Sequence, residues 1–170
     1  IIELAVIEFG VEGEAPPQIL KCYSGLIDPL RPLSEDISRL TGLTDSQLKG
    51  QTVDWALIRA MLARASIVIA HNAEFDRGFI EAIPELKDLR LHWGCSLRHI
   101  DWRKRHFTSG ALNYLAADHG FVNPFPHRAL FDCATTFKLI ASNLNELIER
   151  SYEREFRVVA VGSPFDTKDA

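Results

Sequence analysis

SIVIAHNAEFDRGFI, Ser66 to Ile80, changes its hydrophobic period half-way along. Ser66 to Ala70 is a short apolar run rich in β-branched residues, the mark of a buried strand, and the residues after it have helical spacing. The junction falls at His71 and Asn72. Asn72 is placed as a helix N-cap, and small Ala73 lets the first turn come close to its neighbour. Ala73, Asp76, Ile80 and Ile83 then make one stripe with Phe79 beside it, which puts the Asp76 carboxylate on the face expected to be buried. A lone buried carboxylate is costly, so it must be protonated, hydrogen-bonded or on a metal. Taken alone, Asp76 reads equally well as a structural acid near a helix start.

A second stretch shifts that balance. HRALFD, His127 to Asp132, follows a loop stiffened by Pro124 and Pro126 and opens another helix, expected to run from Arg128 to Leu147. Leu130, Cys133, Phe137, Ile140 and Leu144 form its core stripe, with Asp132 on the flank beside Ala129 and Thr136. Two helix-borne aspartates, one with a histidine five residues upstream, suit a divalent metal site with a nearby proton acceptor.

With 170 residues and 46% hydrophobic content the chain can bury one substantial core. The reading is a single domain over residues 1–150, followed by a C-terminal strand and tail over 151–170 that looks cut off in mid-segment. A net charge of -4 and a pI near 5.9 argue against nonspecific coating of nucleic acid. An enzyme that recruits cations to hold phosphate can still be acidic overall. Cys22, Cys95 and Cys133 are scattered without metal-ligand spacing, and read as reduced core residues of a cytoplasmic protein. No apolar run approaches membrane-spanning length, and IIELAVIEFG has no basic region ahead of it, so it is no signal peptide.

In chain order, Ile1 to Phe9 reads as a strand, Gly10 to Pro17 as a hairpin connection, and Ile19 to Ile27 as an antiparallel partner ended by Asp28-Pro29. Ser34 to Leu40 and Thr44 to Leu48 are short helical turns broken by Gly42 and Gly50, and Val53 to Ala65 is a helix. After the Ser66–Ile80 unit, interrupted by Pro84, Leu89 to Leu97 contains a strand. Arg98 to His106, RHIDWRKRH, is the most basic run. It reads either as a solvated face or as a phosphate-contacting arm using Arg98, Arg103, Lys104 and Arg105, with Trp102 or Phe107 stacking on a base. Ser109 is expected to cap a helix from Gly110 to His119 that Gly120 stops. Phe156 to Val161 is expected as a last strand. Two antiparallel strands followed by strand–helix alternation give an α/β fold with a mixed sheet flanked by helices.

HNAEFD with a later HRALFD resembles the second and third motifs of the DnaQ-like DEDDh 3'-5' exonucleases, and LSEDISRLTGLTDSQLKG is similar to the segment of that family at the same place. The similarity runs up to about Leu144 and implies a ribonuclease-H-like fold. It implies two-metal hydrolysis at the 3' end of nucleic acid, with two Mg2+ or Mn2+ ions activating the attacking water and holding the leaving oxygen. Asp76 and Asp132 would supply hard oxygen ligands, and His127 would be the general base, since an imidazole can accept a proton at neutral pH. His71, Asn72 and Phe75 would contact the terminal nucleotide. The resemblance also implies a single-stranded DNA 3' end as substrate, a proofreading or repair role, a DNA polymerase subunit as partner, and no membrane. Alternatives within the same fold are an exoribonuclease and a catalytically silent nucleic-acid-binding or polymerase-associated module.

The family carries a first motif, Asp-x-Glu, on a strand just upstream of one that reads like IIELAVIEF. Glu3 and Glu8 have no aspartate at that spacing and take no such role. The motif is expected upstream of Ile1, and residues 1–170 alone are expected to hold at most one metal loosely and to show little activity.

Overall fold

The computed structural model describes residues 1–13 and 15–153. It opens on β1 (Glu3–Gly10), which pairs antiparallel with β2 (Gln18–Leu26), the register slipping once between Glu8 and Phe9. Two short helices follow, α1 (Glu35–Thr41) and α2 (Asp45–Leu48). Ser34 caps α1 through the amide of Ile37, and Gly42, at a φ of 71°, ends it in the left-handed region that glycine enters without strain. Thr44 and Gln47 make a capping box at α2. The Asp28 carboxylate then fastens the loop, accepting from the Leu30 and Gly50 amides at 2.8 Å each. α3 (Trp55–Arg64) is capped by Asp54, which accepts from Leu57 N–H, and buries Ile58, Met61 and Leu62.

β3 (Val68–Ala70) pairs parallel with β4 (Trp93–Cys95), and α4 (Ala73–Ile80) begins the crossover between them. Arg59 of α3 grips Asp88 in that crossover with two hydrogen bonds of 2.6 Å. α5 (Leu112–Asp118) stops at Gly120, as the sequence predicts, and α6 (Ala129–Ile140) and α7 (Leu144–Ser151) complete the described chain. Among the described residues no helix is long and apolar enough to cross a membrane. The strand expected at Phe156 to Val161 lies outside the described residues.

Antiparallel and parallel pairing both occur, but in two separate two-stranded ribbons. Shared cores hold the ribbons together. On one side Leu4, Val6 and Tyr23 of the hairpin pack with Val68 of β3 against Ile58, Leu62 and Leu86. On the other side Phe9 joins Ile67 and Ile69 against Trp102, Leu115, Leu139, Ile140 and Leu147. Residues 67, 68 and 69 alternate between the two cores, as a strand covered on both faces requires. The result is a sheet layer with α3 on one side and α5, α6 and α7 on the other.

Two expected elements are shorter than the sequence pattern suggests. The helix expected from Arg128 to Leu147 breaks at residues 141–143, where the Asn143 side chain donates to the Leu139 carbonyl at 2.9 Å and competes with the helical ladder. The break still lets Leu144 and Leu147 enter the same core as Ile140. The helix expected to start at Gly110 starts at Leu112, with Ala111 at the N-cap position, and Ser109 only bonds the Ala111 amide.

α7 lies close on β4 because Gly94 has no side chain. A Cβ there would sit 2.7 Å from Leu147 Cδ2 and 3.0 Å from Ile67 Cδ1. Leu147 is fully buried and cannot swing away. We expect Gly94→Ala to lower unfolding free energy by about 1–3 kcal/mol through overpacking. Gly78→Ala, on the open face of α4 with nothing within 4 Å of the new methyl, should be neutral or raise it by up to about 1 kcal/mol. Urea titrations of both variants check the contrast.

Candidate active site

The strand-to-helix junction after β3 is held by one imidazole. His71 Nδ1 is 2.8 Å from the hydroxyl of Ser96, which is fully buried, and its Nε2 is 2.7 Å from the Gly110 carbonyl. A Cβ at Gly110 would meet Leu97 Cδ1 at 2.5 Å, so a side chain there would have to displace the tip of that half-buried leucine. Burial lowers the pKa of His71, outweighing the Gly110 carbonyl and the Asp132 charge, which raise it. Both ring nitrogens are thus engaged within the fold.

Asn72 stands at the N-cap position of α4 without a side-chain capping bond, and Ala73 is buried beneath it. Phe75 projects outward at 63% exposure with its ring edge-on to Phe79, 4.9 Å between centroids. Asp76 is exposed as a residue, not buried as its stripe suggests, although Ala73, Ile80 and Ile83 of that stripe do face inward. The surrounding protein nevertheless desolvates its carboxyl, and that, followed by the charge of Asp132, raises its pKa.

Asp132 comes from the first turn of α6 and is half-buried. Its pKa is also raised, chiefly by burial, against the opposing pull of the Asn123 amide and the His127 backbone N–H. Asn123, itself 5% exposed, donates to Asp132 Oδ1 at 2.7 Å and accepts from the Phe125 amide at 3.2 Å. His127 is exposed and holds a left-handed φ of 65°, which costs a non-glycine residue about 1–2 kcal/mol. Asp76 and Asp132 thus converge from separate helices closely enough for the charge of one to act on the other. Cys133 lies beside them, but burial first and the two aspartates next push its thiol up to about 12, so it stays protonated. Hard oxygen donors and two crowded carboxylates fit a hard divalent cation. They are only two, however, and among the described residues no group of three His, Cys, Asp or Glu side chains gathers as a metal site.

The basic run is not part of this cluster. Arg98 pairs with Glu74, which is two residues from Asp76 and so about 200° around α4 from it. Lys104 pairs with Asp101 at 3.5 Å and Arg105 with Glu146 at 2.6 Å, while Arg103 is exposed and makes no ion pair among the described residues. Trp102 is 4% exposed, with its Nε1 donating to the Ser96 carbonyl at 2.7 Å, and Phe107 packs edge-on against it. Neither ring is open for base stacking, because the segment is fastened to the core by its aromatic residues.

No protein-family model matches the chain. Over 141 residues, 80% of the chain, it is 33% identical to a DNA polymerase III PolC-type of Listeria monocytogenes, and over 73 residues 40% identical to one of Streptococcus pyogenes. The chain spans only 9% and 5% of the length of these curated relatives. Among solved structures, exonuclease X in complex with 5' overhanging duplex DNA superposes with a TM-score of 0.57 at 16% identity, over 89% of this chain and 99% of that one. In sequence and fold together the chain resembles the DnaQ-like 3'-5' exonucleases. A 3'-exonuclease solved in recognition of the 3' end of a histone mRNA stem-loop superposes likewise, with a TM-score of 0.60 at 12% identity over 85% of this chain and 81% of that one. The architecture is accordingly the ribonuclease-H-like fold of these DnaQ-like relatives, with HNAEFD on the β3–α4 unit and HRALFD at the start of α6.

Three residues of this site have no place in the motif reading. Asn123 stands just ahead of Pro124, and an Asn-Pro pair nine residues before an aspartate was its available signal. Glu3 and Arg128 meet across 125 residues of sequence.

A carboxyl whose folded pKa is raised stabilises the fold only while protonated. For Asp76 that contribution is complete below its ordinary value of 3.8 and is lost as pH rises through the raised value, above which the fold carries the repulsion of two charges. In metal-free buffer at neutral pH we expect Asp76→Asn to melt about 1–4 °C higher than the parent, the gain shrinking as pH falls toward about 4. Melts followed by circular dichroism across pH check this, and a variant that melts lower at neutral pH contradicts it.

Proposed function

We propose that this chain is the core of a metal-dependent 3'-5' exonuclease that hydrolyses phosphodiester bonds at the 3' end of nucleic acid, DNA in preference to RNA. The observation that carries the reading is the meeting of Asp76 and Asp132, each beginning a helix within a family motif, with each carboxyl held above its ordinary pKa. Phosphodiester cleavage needs positive charge beside a crowded anion, and paired carboxylates are what hold such charge. Residues 1–150 would make up this nuclease domain.

Asp76 and Asp132 would hold Mg2+ or Mn2+, which when bound neutralises phosphate charge and lowers the pKa of water. Asn123 holds the Asp132 carboxylate by one oxygen. His127 would accept the proton of the attacking water; its exposure leaves the imidazole open to the substrate side. Asn72 and exposed Phe75 would meet the terminal nucleotide, Phe75 offering a ring face to a base. His71 would position the junction that carries them. Of the basic run, Arg103 is the candidate phosphate contact.

The rest of the donor set would come from the Asp-x-Glu motif on a strand upstream of Ile1. A place for that strand is supported by the two ribbons, which share both cores yet, among the described residues, do not pair with each other. The PolC-type names of the sequence relatives favour DNA and a polymerase as partner in proofreading or repair. The lack of a third donor among the described residues favours the rival reading, a catalytically silent nucleic-acid-binding module.

Digestion of 3'-labelled single-stranded DNA and RNA by the full-length protein, with and without Mn2+, separates these readings. We expect Mn2+-dependent shortening from the 3' end, faster on DNA, and no shortening of either strand sinks the enzyme. His127→Ala should cut the rate by about 10²–10⁴ while nucleic-acid affinity stays nearly parental. Asp132→Asn should weaken Mn2+ binding in titration calorimetry, and an unchanged affinity removes Asp132 from the metal site.

A further inference from the structure

Glu3 opens β1, and its side chain is only 8% exposed. Arg128 donates to both of its oxygens, Nε to Oε2 and Nη2 to Oε1, each at 3.0 Å. The backbone N–H of Ala129, the first residue of α6, donates to Oε2 at 3.0 Å. One carboxylate therefore holds a bidentate guanidinium and an otherwise unpartnered helix-start amide, the two strongest kinds of bond open to it. Both donors belong to the residues that directly follow His127.

This grip bears on the geometry of the site. His127 sits in a left-handed backbone conformation that an L-residue adopts only when its neighbours hold it there. The Arg128 carbonyl accepts from the Phe131 and Asp132 amides, both at 3.0 Å, so the first turn of α6 is built on the residue that Glu3 clamps. Cys133, one residue on, donates from its thiol to the Ala5 carbonyl of the same strand at 3.5 Å, a second tie between β1 and α6. Helix dipole alone would not select one rotamer of Arg128 or one entry angle for the chain; a buried two-pronged pair does both.

We propose that Glu3 is a positioning residue: through Arg128 and Ala129 it fixes the segment 127–132, and so sets His127 and Asp132 relative to the strand layer. Its role is to hold the backbone and guanidinium of the segment after His127, and not to bind substrate or metal itself. The catalytic part of the inference rests on the roles proposed above for His127 and Asp132.

The test uses the full-length protein with Glu3→Gln, which keeps the shape but loses the charge, and Arg128→Lys, which keeps the charge but cannot fork. Arg128 is 35% exposed and a lysine there keeps a cation beside the Glu3 carboxylate, so the second variant is the milder of the two. Amide hydrogen exchange at residues 129–132 should speed up by about tenfold in either variant, while exchange at Val6 and Tyr23 in the hairpin stays parental. In the digestion assay kcat should fall by about tenfold or more with KM within about twofold, and the double variant should lose little beyond either single one. Parental exchange at 129–132, a parental kcat in a cleaving enzyme, or losses that multiply in the double variant each overturn the assignment. If the parent protein cleaves nothing, the nuclease reading falls and the exchange measurement alone decides the clamp.

Discussion

The imidazole of His71 is bonded at both ends, to Ser96 after β4 and to Gly110 before α5. Three segments far apart in sequence meet on that ring. Ser96 in turn receives the indole N–H of Trp102 on its carbonyl, so the bend after β4 and the basic stretch beyond it are stitched into one buried polar knot. Inside a protein such a knot is stable only when every member is satisfied, which is why the neutral imidazole, with one donor and one acceptor nitrogen, suits the position. The position of α4, and with it Asp76, follows from where this ring is held.

Burial alone would not give the two aspartates their character. Each sits where solvent is partly displaced, and among the described residues neither forms an ion pair with an arginine or lysine. Arg98, Lys104 and Arg105 are spent on Glu74, Asp101 and Glu146, and Arg128 is spent on Glu3. The chain thus neutralises its acids elsewhere and leaves these two raised by burial first, with the charge of Asp132 adding to it at Asp76. That is a local departure from the best electrostatic arrangement, of the kind that folds retain where a positive ligand is to be held.

The local pattern carried the order of elements well. The change of period at His71 marked the β3–α4 junction, glycine and proline marked the turns, and the two aspartates fell on helices that converge. What it could not carry was any pairing between distant residues. Nothing near Glu3 announces Arg128, and the sequence reading, which denied Glu3 a place in the first motif, assigned it no other role. Trp102 misled for a related reason: four basic neighbours made the run look solvated, while the indole among them was anchored inward. The break between α6 and α7 hinges on one asparagine side chain that outcompetes the backbone, a contest that helical periodicity does not register.

The division into two ribbons has a consequence for how such a chain behaves in solution. Two separate pairs of strands have four hydrogen-bonding rims, where a continuous four-stranded sheet would have two. Each rim is a template for another chain in extended form. The hairpin rim along β2 is blunted by Lys21 and by the extra residue, Leu20, at its register shift, but Ile19 and Leu20 stand exposed on the same strand. An extended segment laid along such a rim would satisfy backbone groups that the pairing within each ribbon does not use.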